Sequence, residues 1–204
     1  MSKYYYHGVK RGDILEKTLD IFQKGGIKCM PGARKIGFNG LDHVSICTKE
    51  PEEEYSRHSN NAFYKYVQDS ICFIISDTVE AIKPEIIENA DKWNRFELFG
   101  YMNSKPNTRF SDMFDEWQVK DRVSLSDIVA IGIPMQQLAE LMEDIQEGQE
   151  KIKKIIEIAL ALGLDIVDSS LPNFVEEYEK EKSKNFNKVY QIQLEKILGS
   201  EVHE

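Results

Sequence analysis

Cysteine is scarce: three residues in a chain of 204, Cys29, Cys47 and Cys72, lie far apart. No CxxC occurs, and no histidine stands at metal-ligand spacing from a cysteine. An odd, scattered set excludes a disulfide framework and a zinc-ribbon site, and the thiols are expected to be reduced. Long apolar runs are missing too. No stretch of about 18 apolar residues is present, and the first residues lack the apolar core of a secretory leader. These absences lead to the expectation of a soluble cytoplasmic protein without a membrane partner. Internal repeats and low-complexity segments are absent, as are the Walker loop, GxGxxG, HExxH and GxSxG patterns. Surplus positive charge is also lacking. The formal net charge is −9, whereas non-specific nucleic-acid binders usually carry a basic face. Much of the negative charge sits in Glu50–Glu54 and in the "VEEYEKEK" stretch near the C-terminus, so the first half is less acidic than the total.

What is present suffices for a packed core: 41% of residues are apolar and 30% charged. "YYYHG" reads as a short strand over Tyr4–His7 ending on a glycine. Asp13 is placed to cap a helix whose apolar face is Ile14, Leu15, Thr18, Leu19, Ile21 and Phe22, and Gly25-Gly26 stops it. A second strand is expected over Leu41–Thr48, a short helix over Ala62–Asp69, and a buried strand over Ser70–Ser76. "EWQVKD" alternates, with Glu116, Gln118 and Lys120 on one face and Trp117 and Val119 on the other. Another strand is expected over Ile128–Pro134. Beyond it come two amphipathic stretches: Leu138, Leu141, Met142 and Ile145, then Ile152, Ile155, Ile156, Ala159 and Leu162. Gly163 ends the second, "LDIVD" reads as a short strand, and Phe174–Leu198 as a charged helix or helix pair. Strand-rich sequence followed by helix-rich sequence implies an α+β fold.

Three polar positions stand out against this frame. His7 sits at a strand end, and the glycine after it leaves backbone open to close approach. Glu116 opens a strand directly after the long Asn103–Asp115 loop, so the carboxylate has a rigid base. Ser45 is a small polar residue in the middle of "DHVSIC".

Taken in order, "YYYHGV", "ILEKTLDIFQKGGI", "GLDHVSIC" and "DEWQVKDRVSLSDIVAIGIP" resemble the ADP-ribosyltransferase-like fold. The likeness is to its His-Tyr/Ser-Glu clade, which includes diphtheria-type toxins and poly-ADP-ribose polymerases. It covers roughly Tyr4–Pro134. It implies a split β-sheet core over residues 1–134, and the remaining 135–204 are expected as a helical extension packed on it. It also implies a glycosyltransferase that uses NAD as substrate and needs no metal. Nicotinamide is cleaved off, and ADP-ribose goes to a macromolecular acceptor. In this reading Glu116 is catalytic, and His7 and Gly8 hold NAD by a ribose hydroxyl and the nicotinamide amide. Val9 stands where threonine or serine is common, and Ser45 stands where the family places a tyrosine. The stacking aromatic would come from Tyr55, Tyr64 or Tyr66, with Tyr64 grouped with Ser45 as cofactor-binding. Arg109 and Phe110 fall where the family has its target-recognition loop. Net acidity favours a protein acceptor over nucleic acid, and an antitoxin or inhibitor is a further possible partner of a toxin-like member. Two other readings stay open: a non-catalytic interaction protein on this fold, and an NAD-using RNA 2′-phosphotransferase.

Overall fold

The computed structural model describes residues 4–9, 13–28, 43–49, 62–83, 85–86, 108–109, 116–141 and 145–181. The chain starts with β1 (Tyr4–Val9) and α1 (Ile14–Gln23), followed by β2 (Gly26–Lys28) and β3 (His43–Cys47). A π-helical turn, Phe63–Val67, closes with the Gln68 amide on the Phe63 carbonyl at 3.0 Å. Then come β4 (Ile71–Ser76), β5 (Ala81–Ile82), β6 (Glu85–Ile86), β7 (Thr108–Arg109), β8 (Glu116–Lys120), β9 (Arg122–Ser124) and β10 (Ile128–Ile133). The described chain ends with α2 (Leu138–Leu141), α3 (Ile145–Ala161), β11 (Asp165–Asp168) and α4 (Phe174–Glu181).

Seven strands form one sheet in the order β11-β10-β4-β1-β3-β8-β5. Every neighbouring pair is antiparallel except β10 and β11, which run parallel and are joined across α2 and α3. The fold is therefore α+β.

Strand alternation sorts the core into two layers. On one face Val9, Val44, Ile46, Phe73 and Ile131 meet Leu15, Leu19 and Phe22 of α1 and Ile152, Ile155 and Ala159 of α3. On the other, Tyr4, Tyr6, Ile74 and Val167 meet Phe63 and Val67 of the π turn and Phe174, Val175 and Tyr178 of α4. The tyrosines of β1 are thus packing residues. Tyr6 is fully buried with its ring edge-on to Phe63, centroids 5.1 Å apart, and Tyr4 lies 5.6 Å from Tyr178.

Several expectations hold and several are corrected. Asp13 caps α1, accepting from the Glu16 amide at 2.9 Å. Gly26 does more than end that helix: it opens β2, which pairs with β9, and its φ of 139° with the Val123 carbonyl against it suits glycine alone. Leu162 falls just past the end of α3 and is 45% exposed, so it does not belong to the helix's apolar face. The stretch from 135 onward is more than a helical extension, because β11 joins the main sheet and α3 and α4 cover opposite faces of it. Of the helix expected over Phe174–Leu198, the described part is α4, and the rest lies outside the described residues. Among the described residues no helix is long and apolar enough to cross a membrane.

One ion pair ties α4 to the sheet. The Lys49 ammonium, its side chain 7% exposed, donates to both Glu176 carboxylate oxygens at 2.8 and 2.9 Å and lies 5.6 Å from the centre of the Phe63 ring. Desolvation works against ionisation of Glu176, but the Lys49 hydrogen bond and charge outweigh it and lower the carboxyl pKa. Lys49→Met should destabilise the protein by about 1–2 kcal/mol, between the values for exposed and fully buried pairs. Urea denaturation reads this directly, and an unchanged midpoint would show that the pair contributes nothing net.

Candidate functional site

The site is built where β1 and β3 part. β1 pairs with β4 over its whole length, from Tyr4 opposite Ser76 to Val9 opposite Ile71. Against β3 it makes a single register pair, Tyr6 with Cys47, where the Cys47 thiol also donates to the Tyr6 carbonyl at 3.6 Å. Two residues on, an unbroken ladder would set Gly8 opposite Ser45. Instead the Nδ1–H of His7 donates to the Ser45 carbonyl at 2.8 Å. A carbonyl only accepts, so the proton is on Nδ1 and Nε2 is left as an acceptor. Burial lowers the His7 pKa from its ordinary 6.5, and the Ser45 hydrogen bond opposes the shift without cancelling it.

Gly8 is glycine because another backbone touches it. A Cβ built there would lie 1.7 Å from the Tyr66 carbonyl oxygen and 3.1 Å from the Val67 nitrogen. On that side the close approach is made by the protein's own π turn, which lays the Tyr66 carbonyl on Gly8. Tyr64 is half-buried and edge-on to Phe63, with ring centroids 5.5 Å apart. Gly8→Ala should therefore cost about 3 kcal/mol of stability through overpacking against an element that yields little. A thermal melt within a degree or so of wild type would refute this contact.

Across β3 and β8 lies a polar patch on a sheet face that is otherwise apolar. Register pairs Ser45 with Gln118 and Cys47 with Glu116, so Ser45, Gln118 and Glu116 share the face of Tyr6. Glu116 is 9% exposed and Gln118 only 2%. Two residues apart on one strand, their side chains start roughly 7 Å from each other. Alternation puts His7 on the opposite face, with Tyr5 and Val9. His7 and the Glu116 carboxylate thus start from opposite faces of the sheet. Sequence reasoning put Gln118 on the face of Glu116 without giving it a role. Its burial was the missing signal, since Lys120 on the same face is exposed.

Of the expected recognition loop, Thr108–Arg109 is described, and its backbone forms β7, paired in parallel with β6. Phe110 and Tyr55 lie outside the described residues. A cavity of about 400 Å³ lies elsewhere, bordered by Ile128, Val129, Leu164, Asp165 and Tyr178 at the β10–β11 edge. Its titratable pair is internally satisfied, with the Tyr178 hydroxyl donating to Asp165 at 3.0 Å. Burial first, and then the Asp165 charge, raise the Tyr178 pKa, which leaves an inert phenol. The chemistry-bearing groups therefore lie outside that cavity. Comparison with known proteins adds no assignment: no family model, curated protein or solved structure matches the chain.

The depressed His7 pKa has a signed consequence. Below the unfolded value near 6.5 the unfolded chain takes up a proton that the folded His7 resists. Its stabilising contribution is therefore complete above that pH and is lost as the pH falls toward the folded pKa. Melting temperature should fall across this window. His7→Asn, which keeps a donor near the Nδ1 position but does not titrate, should flatten the slope. Equal slopes in the two proteins would contradict the assignment.

Proposed function

We propose that the protein is an NAD-dependent mono-ADP-ribosyltransferase. The observation that carries this reading is a buried carboxylate, Glu116, at the head of β8, in a sheet whose β1 and β3 pair at Tyr6 and Cys47 just before the His-Gly pair. The sequence resemblance supports the same roles. In the reaction the bond between nicotinamide nitrogen and ribose C1′ breaks, and nicotinamide leaves with the bonding electrons. An acceptor nucleophile attacks C1′ and loses its proton.

Positive charge develops on the ribose as the bond lengthens. A fixed carboxylate in a desolvated setting stabilises that charge more than water does, because its orientation is set before reaction. Glu116 fills this role and also receives the adjacent ribose hydroxyl. Neutral His7, with Nε2 as acceptor, accepts a hydrogen bond from a ribose hydroxyl of the substrate, and its bond to the Ser45 carbonyl fixes the ring plane. Gly8 offers backbone at the gap, and Tyr64 and Tyr66 supply the aromatic wall. Arg109, on its short strand, remains the side chain assigned to the acceptor, and the acidic total favours a protein in that place.

The test is release of nicotinamide from NAD by the purified protein, together with transfer of labelled ADP-ribose to protein, DNA and RNA pools. Glu116→Gln should lower the rate about 100- to 1000-fold, the scale for loss of one preorganised charge stabiliser. Equal rates in wild type and variant would overturn the reading. Label in the RNA or DNA pool alone would keep the chemistry and reassign the acceptor.

A further inference from the structure

The cavity of about 400 Å³ at the β10–β11 edge takes no part in the transferase chemistry, yet its charges are unbalanced. Its walls are mainly apolar, from Leu125, Ile128, Val129, Leu162 and Leu164. Leu162, 45% exposed, is one of two large apolar side chains left so open among the described residues, and it gives the rim an apolar edge. The volume falls in the range of small-molecule pockets.

Two features make this apolar space electrically negative. The first is Asp165, half-buried on the wall. The Tyr178 hydroxyl donates to its Oδ2 at 3.0 Å, which fixes the carboxylate and leaves Oδ1 without a partner among the described residues. The second is the C-terminal end of α3, a helix of 17 residues with no basic side chain in its last turn. The chain leaves that end through Leu162, Gly163 and Leu164, all three on the cavity, with Gly163 at a φ of 72°. The negative end of the helix dipole thus lies at the same wall as the carboxylate. No lysine, arginine or histidine among the described residues borders the cavity to offset either.

We propose that this cavity binds a small organic cation, a protonated amine carried on an apolar body. The ammonium donates to Asp165 Oδ1 and lies at the negative end of α3, while the body packs on Val129, Leu162 and Leu164. A neutral ligand of the same shape desolvates the carboxylate without compensating it, and an anion adds like-charge repulsion. A bare metal ion is a poor match, because one carboxylate and one phenol on an apolar wall supply too few oxygens. Tyr178 acts as a positioning residue, holding the carboxylate through Oδ2. The site is separate from Glu116 and His7, and the proposal stands whether or not the protein is a transferase.

The probes are tryptamine, protonated at neutral pH, and two analogues that replace its amine by a hydroxyl (tryptophol) or a carboxylate (indole-3-propionate). Each is titrated into the full chain while melting temperature and the amide signals of labelled protein are followed. Tryptamine should raise the melting temperature with concentration and shift the amides of Leu162, Leu164 and Asp165. Tryptophol should bind about tenfold or more weakly, and indole-3-propionate should leave these signals in place. Asp165→Asn, which keeps an acceptor for Tyr178, should weaken tryptamine about tenfold or more without changing tryptophol. Leu162→Gln, at an exposed position, should weaken both. If Asp165→Asn does not fold, the three probes on wild type and on Leu162→Gln decide in its place. Tryptamine shifts absent from Leu164 and Asp165, or confined to exposed acidic residues such as Glu16, overturn the proposal. So do equal affinities for tryptamine and tryptophol, or a folded Asp165→Asn that binds tryptamine as wild type does.

Discussion

The organisation of this sheet depends on a hydrogen bond that the backbone does not make. β1 and β3 pair once, at Tyr6 and Cys47, and then separate. A strand carbonyl left without its ladder partner inside a protein is costly, so the gap persists only if something else satisfies the Ser45 oxygen. The His7 imidazole does so at 2.8 Å. On the far side of β1, the unbroken ladder to β4 keeps the strand straight while its other edge opens. The π turn packs its Tyr66 carbonyl on Gly8, so the opening is braced from above as well.

That constraint explains why polar groups are tolerated on an otherwise apolar face. Ser45, Gln118 and Glu116 lie on the sheet face of Tyr6 and Cys47, with Glu116 in the Tyr6–Cys47 row and Gln118 in the row of Ser45. The C-terminal part serves the same arrangement. α4 covers the π turn from outside through Phe174 and the Lys49–Glu176 pair, and β11 extends the sheet at the edge remote from the gap. The segment after Pro134 therefore helps to hold the π turn in place.

Local patterns carried much of this, and contacts distant in sequence carried the rest. Alternation in "EWQVK" assigned both faces of β8 correctly, because period-two patterning depends only on neighbouring residues. The Asp13 cap and the buried "ICFIIS" strand were legible for the same reason. The pairing of β2 with β9 was not, since Gly26 also reads as a helix stop and a three-residue ladder leaves no pattern of its own. The parallel docking of β11 on β10 was equally invisible, because four residues with only Ile166 and Val167 apolar carry no pattern that names their partner strand. At the site, Glu116 and His7 could be picked out by residue type and position. Their placement on opposite faces, and the burial of Gln118 beside them, follow from a register that pairs residues about 70 positions apart.

The central claim is that the split beside Ser45 is where nicotinamide and NAD bind. Nuclear magnetic resonance of labelled protein titrated with nicotinamide tests it most directly, because every amide reports its own surroundings. The account predicts concentration-dependent shifts at the backbone amides of Gly8 and Ser45, with Asp165 and Leu164 unmoved. Shifts confined to the cavity at Asp165 and Leu164, or no shifts at nicotinamide saturation, would contradict it.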